Sequence, residues 1–275
     1  MILSGWGRYP KTQTRACPVY SEEVLDECLC RGSQMIAHAN GRSYGDCALH
    51  DHVLLVKGLN RMLAFDEQTG LLTCEAGVTL SDIITVFLPR GWFLSITPGT
   101  KHITVGGAVA SDVHGKNHHV AGCFSACVQS LDIMIAAGTM ITCSPDINKP
   151  LFRATCGGMG LTGVITRVTL KLMRVKSAQI RQKTIRAQNL EQMFRLFETH
   201  AHLPYSVAWL DCLASGRQLG RSLLITGDHV QDHSLVLPET RQVTIPFDLP
   251  GFCLNRTSVS LFNRLYYHRI PKGKP

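Results

Sequence analysis

Apolar positions along the chain recur with two periods, and these divide it into elements. Ser21-Glu22-Glu23 offers an N-cap and first-turn acids, and Val24, Leu25, Cys28 and Leu29 then share one helical face, with Gly32 placed to end the helix. Strand-like runs follow at Met35–Ala39 and Val53–Val56. Met62–Phe65 and Leu71–Ala76 flank a hairpin turn at 66–70. Leu80, Ile83, Ile84 and Phe87 predict a short helix with Gly91 beyond its end. Val128–Ala136 and Met140–Cys143 read as paired strands turning at Ala137-Gly138. In 164–175, Val164, Val168, Leu170 and Leu172 face one way while Arg167, Thr169 and Lys171 face the other, a half-buried strand that closes a first domain over 1–176. From 177 to 275 the texture is that of a second α+β domain. A helix with Leu190, Met193, Phe194 and Phe197 on one face precedes strands near Ser206–Leu213 and Ser222–Thr226, and the chain runs out in a basic tail, NRLYYHRIPKGKP.

Between these elements lie three glycine-rich segments: NGRSYGD after a strand, PGTKHITVGGAVASDVHG after the apolar run Trp92–Ile96, and CGGMGLTGV before a strand. Glycine lacks Cβ, so the backbone can approach a ligand and offer its N–H groups to phosphate oxygens. A helix starting near Thr104-Val105-Gly106-Gly107 would present free N–H groups and its dipole to a diphosphate. Gly158–Gly163 fits G-x-G-x-x-G, but the dinucleotide fingerprint needs a strand before it and a helix after it. Here the helix-like 151–155 precedes and the strand 164–175 follows, which excludes NAD on a Rossmann fold.

The net charge of +8 in 275 residues invites an anionic partner, yet the basic residues are dispersed and no nucleic-acid signature is present. No stretch reaches the length of a membrane span, and the start lacks the charged head and apolar middle of a signal peptide. The eleven cysteines include no C-x-x-C and read as free thiols in a reducing compartment.

The stretch SDVHGKNHHVAG (111–122) concentrates candidate chemistry. His114, His118 and His119 suggest a metal, and with it a metal-dependent hydrolase. Against that, Lys116 repels a cation, no H-E-x-x-H or Cys/His cluster accompanies them, and no G-x-S-x-G nucleophile elbow occurs. The alternative is the polar wall of a cofactor pocket, with His114 and Lys116 set against a redox ring or an oxygen-rich anionic substrate.

Taken in order, GWGR (5–8), GRSYGD (41–46), PGTKHITVGGAVASDVHGKNHH (98–119), GGMGLTGVI (157–165) and AWLDCLASGRQLGR (208–221) resemble flavoproteins of the vanillyl-alcohol-oxidase type, and within them the decaprenylphosphoryl-β-D-ribose 2′-oxidase branch. The resemblance implies an α+β fold: a PCMH-type FAD-binding domain of two subdomains, followed by a substrate domain. It implies oxidation of a secondary hydroxyl on a lipid-linked sugar phosphate by hydride transfer to FAD, with a partner reductase completing an epimerisation to the arabinose form. It places Gly41, Arg42, Ser43, Tyr44 and Gly45, then Pro98, Gly99 and Thr100, and Thr104, Gly106, Gly107 and Ala110 along the diphosphate and ribityl chain. Val113 and His114 belong to the flavin wall, Gly160 and Ile165 to the adenine end or flavin edge, and His114 and Lys116 to the reacting centre, with no metal. Relatives that tether flavin often use histidine in a G-H-S setting; Gly41-Arg42-Ser43 implies non-covalent FAD. The expected location is cytoplasmic, peripheral at the inner membrane face. Family members are longer, so the resemblance also implies an incomplete substrate domain, a second polypeptide supplying the rest, and a chain that by itself binds flavin without turnover.

Overall fold

The computed structural model describes residues 1–31, 34–237 and 250–270. Gly32, the proposed helix stop, and 271–275 of the basic tail lie outside them. The chain divides into two compact units, Met1–Val175 and Lys176–Pro275.

Besides the two-stranded pair Ile2–Ser4 and Lys11–Gln13, the described residues of the first unit build two larger sheets. Strands Arg15–Pro18, His52–Leu55 and Ile36–His38 run parallel in that spatial order, and the crossover helix Glu22–Leu29 packs Leu25 and Cys28 against Leu54, Val56 and Leu59. Ser21 caps that helix by accepting from Val24 N–H. The second sheet is antiparallel, in the order Met140–Cys143, Val128–Met134, Val164–Arg174, Leu71–Glu75, Met62–Asp66. The eleven-residue strand Val164–Arg174 is long enough to pair with Trp92–Leu94 beyond the end of the other strands. Helix Leu80–Phe87 seats Leu80, Ile83 and Phe87 in this core, each burial contributing roughly 1.5–3 kcal/mol. Its start is fixed by a capping box between Thr79 and Asp82. The α+β expectation with a two-part first unit is met.

In the second unit Ser222–His229 lies between Ile180–Ala187 and Tyr205–Leu210, all antiparallel. Helix Leu190–Thr199 packs Met193, Leu196 and Phe197 against Ala187 and Leu224. Leu190 and Phe194, expected on its apolar face, lie on the flank at 41% and 60% exposure, because the buried arc centres one position round. Helix Arg256–His268, capped by Asn255, takes in the first six residues of the basic tail. Its Tyr267 donates to Ala187 O at 3.1 Å and Tyr266 packs on Trp209, so tertiary contacts hold a segment whose apolar pattern is weak. Arg186, Leu223 and Trp209 share one sheet face by register, and Ala187, Leu224 and Ala208 the other.

The cysteines depart from the expectation in one place. Cys17 and Cys28 form a disulfide, since the helix–strand packing brings their Cα atoms to 6.6 Å. The other nine are free. Burial pushes the thiols of Cys74, Cys127 and Cys156 up to about 12, so they remain inert, packed hydrophobes.

Candidate functional site

The three glycine-rich segments, far apart in sequence, converge on one short helix, Val105–Ala110. The third segment is tied to its end: Gly157 N–H donates to Val109 O at 3.0 Å and Met159 N–H to Ala110 O at 2.8 Å. The first is tied to the loop before it, Asn40 Nδ2 donating to His102 O at 3.0 Å. His38, buried at the end of its strand, spans the first loop through a 2.8 Å contact from Nδ1 to Ala48 O. GWGR then packs beneath that loop. Trp6 N–H donates to Ser43 O at 2.8 Å, and a Cβ on Gly5 would stand 2.6 Å from the same oxygen, so glycine is required there.

Between them runs a groove enclosing about 150 Å³. Of the residues the sequence pointed to, Gly41, Arg42, Ser43, Thr104, Gly106, Gly107, Ala110, Val113, Gly160 and Ile165 line it. Tyr44, Gly45, Pro98, Gly99, Thr100 and His114 do not. The groove also takes in Ala37, Ala39, Asn40, Cys47, Ala48, Ala76, Ile103, Met159 and Gly163, which sequence reasoning missed. Small residues alternating out of a strand, as at Ala37 and Ala39, carry no signal by themselves.

The donors differ from the expectation. The first N–H groups of helix Val105–Ala110 are spent within the protein: Val105 on Val78 O, Gly106 on Ala76 O, and Gly107 on the Thr104 hydroxyl. A six-residue helix wedged against its neighbours satisfies its own end, so it offers no free amides to a diphosphate. The loop 41–47 does. Among the described residues none of its backbone N–H groups donates a hydrogen bond, and Gly41 and Gly45 hold φ of +58° and +60°, a conformation that turns successive amides outward. Arg42 adds the charge, its guanidinium 5.0 Å from the Trp6 ring. Unpaired amides, one cation and a wall of glycines and small side chains fit a dinucleotide diphosphate.

The histidine stretch is mostly scaffold. Asp112 stands at φ +39° and is held there by Ser125, whose N–H and hydroxyl reach its carboxylate at 2.8 and 3.1 Å. Gly115 abuts Thr97 O, leaving no room for a Cβ. Asn117 is buried, donates to Ser95 O at 2.7 Å, and leaves Oδ1 without a partner. His114 and Lys116 are exposed, and the His114 and His118 rings lie 5.2 Å apart. Among the described residues no group of three or more His, Cys, Asp or Glu is placed to hold a metal, so the geometry gives the hydrolase reading no support.

Parallel and antiparallel sheets meeting at such a groove define an FAD-binding domain of the PCMH type, and FAD is its cofactor. The FAD binding domain family model matches residues 21–144. The chain is 31% identical over 286 aligned positions to decaprenylphosphoryl-beta-D-ribose oxidase of Mycolicibacterium smegmatis, covering 97% of this chain and 62% of that protein. It is 38% identical to an uncharacterized protein in the mprA 5′ region of Streptomyces coelicolor, over 72% of this chain and 58% of that one. L-gulonolactone oxidase of Mus musculus is 34% identical over 54% of this chain and 34% of its own length. The chain thus carries an FAD binding domain and is similar over most of its length to a protein named as an oxidase, and it spans about three fifths of the length of the first two of these relatives. No helix among the described residues is long and apolar enough to cross a membrane.

Proposed function

We propose that this chain is the flavin-carrying part of an oxidoreductase that oxidises a secondary hydroxyl of a lipid-linked sugar phosphate. The observation that carries the flavin half of this reading is the 41–47 loop: among the described residues none of its backbone N–H groups donates within the protein, and its Gly41, Arg42, Ser43 and Cys47 line the groove. The substrate half is supported by likeness over 97% of the chain to an enzyme named for decaprenylphosphoryl-ribose. FAD supplies the acceptor for a hydride leaving the carbinol carbon. The chain's own residues bind and orient. Gly41–Ser43 hold the diphosphate through amides and the Arg42 charge, and Gly106 and Gly107 leave it space. Ala37, Ala39, Ala76 and Ile165 give the groove dry walls that strengthen those polar contacts. His114 and Lys116, exposed after the groove, meet the anionic substrate. The ketone product then passes to a reductase.

Two measurements test this. FAD fluorescence should quench on titration with the purified chain, with affinity about tenfold weaker for Arg42→Ala, the loss of one charge-assisted contact. In the enzyme of which this chain is the flavin-carrying part, polyprenyl-phosphoryl ribose should then reduce an artificial electron acceptor in the presence of FAD. Absence of quenching refutes the flavin site, whereas quenching with turnover only on a free lactone refutes the lipid-linked substrate.

A further inference from the structure

A second concavity lies wholly within the unit 176–275. It forms where strand Ile180–Ala187 passes into helix Leu190–Thr199 and encloses about 530 Å³. Its lining is Arg186, Arg217 and Arg221, the glutamines 188, 192 and 218, and Tyr267 with His268. Three guanidiniums converge there, and among the described residues no carboxylate lines it. The nearby acid, Asp211, is 2% exposed and already committed to Arg221.

These arginines are placed rather than trailing in solvent. Arg221 is only 13% exposed; its Nε donates to Asp211 Oδ2 at 2.8 Å and its Nη1 to Gln218 Oε1 at 3.1 Å. Asp211 is itself held by Asn263 Nδ2 at 2.7 Å. Arg186 and Arg221 both stand over the buried Tyr267 ring, 5.4 and 5.2 Å from its centre. Two like charges share one aromatic platform. Arg217 makes no ion pair among the described residues.

The neutral groups present the same polarity. Gln192 Oε1 accepts from Gln188 N–H at 2.7 Å, and Gln218 Oε1 from Arg221, so both amides are left with their NH₂ groups to offer. Arg186 Nη1 reaches His268 Nδ1 at 3.3 Å, which makes that nitrogen the acceptor and puts the ring proton on Nε2. A lone carboxylate is satisfied by one arginine fork. Three guanidiniums with amide and imidazole donors match the two charges and several acceptor oxygens of a phosphoryl group. The volume lies in the range of small-molecule sites, leaving room for what the phosphoryl group is attached to.

We propose that this cleft binds a small phosphorylated molecule, its phosphoryl group held by Arg186, Arg217 and Arg221. The site stands independently of the flavin groove and of the reaction assigned to it. The test is calorimetric titration of inorganic pyrophosphate into the full chain, at fixed ionic strength and with FAD in excess so that the flavin groove is occupied. One site per chain is expected. Arg217→Gln and Arg186→Gln should each weaken it about tenfold, the loss of one charge-assisted contact. Arg195→Gln, which removes an exposed charge paired with Glu191 outside the cleft, should leave it unchanged. Arg217 lies on an exposed turn, so its variant keeps the test valid even if Arg186→Gln loses folded structure. Absence of binding, equal affinity in wild type and Arg217→Gln, or an equal loss in Arg195→Gln would each overturn the proposal.

Discussion

Gly106 and Gly107 are neighbours on one helix and both line the flavin groove, yet a side chain at each should do opposite things. A Cβ on Gly106 would sit 2.8 Å from Ala76 Cβ and 3.2 Å from Ala76 O, inside the contact that lets Gly106 N–H reach that oxygen. Ala76 is 2% exposed and cannot retreat. Gly106→Ala therefore overpacks the core, at a cost of about 1–3 kcal/mol. In a unit of 175 residues that lowers Tm by roughly 2–4 °C per kcal/mol. At Gly107 a Cβ meets only the Thr104 hydroxyl, at 3.2 Å, and otherwise faces the groove. Gly107→Val should fold with Tm within about 2 °C of wild type, since valine is at least as good a helix former as glycine. Its methyls then occupy space a ligand needs, and the same overpacking energy falls on binding: FAD affinity should drop about 5- to 150-fold. Differential scanning fluorimetry without FAD and a fluorescence titration with it separate the two effects. If folded Gly107→Val binds FAD like wild type, the groove is not the flavin site. If it melts as low as Gly106→Ala, the side chain does not face open space.

Cys47 lies exposed on the groove wall, so FAD should slow its alkylation while Cys30 and Cys212 react at an unchanged rate; equal labelling of Cys47 with and without FAD contradicts the placement, as read by peptide mass spectrometry. Acid precipitation should release all bound flavin, because Arg42 stands in the first loop where a tethering histidine would be needed; colour in the pellet refutes this. His114→Ala should leave FAD affinity within about twofold, since the ring is exposed and outside the groove lining, and should show itself only in turnover. Burial alone would raise the Asp211 pKa, but donors from Arg221, the Leu213 N–H and Asn263 pull its carboxyl below the ordinary value. A depressed folded pKa means stability that is complete above the unfolded value near 4 and is lost as pH falls through the folded one. Asp211→Asn should cost about 3 kcal/mol at pH 7 by leaving Arg221 poorly paired, and should flatten the acid limb of the melting profile for the second unit; an unchanged acid limb tells against the carboxylate as its source.

Periodicity alone located most of the elements that build the flavin unit, because each buries one face and its sequence must show it. Leu80, Ile83 and Phe87 announce a helix, and the alternation from Val164 to Leu172 announces the central strand. Glycine at 41, 106, 107 and 160 was likewise legible as backbone approaching something. Sequence by itself did not decide which amides remain free. The helix at Val105 looked like the donor, and it is silent because Val78 O, Ala76 O and Thr104 Oγ1 reach its N–H groups across the fold. Helix Arg256–His268 was hidden for a related reason, since Asn263 and Tyr267 anchor it by single hydrogen bonds to Asp211 and Ala187 rather than by an apolar stripe. The arginine cleft was invisible because Arg186, Arg217 and Arg221 are ordinary surface residues in sequence. They come together only in the fold, where Asp211 holds Arg221, Tyr267 underlies Arg186 and Arg221, and the turn at 216–218 brings Arg217 to the same cleft. Burial leaves a local period that can be read along the chain, whereas the partner of a hydrogen bond or a charge lies elsewhere in the sequence, and only the tertiary fold brings it near.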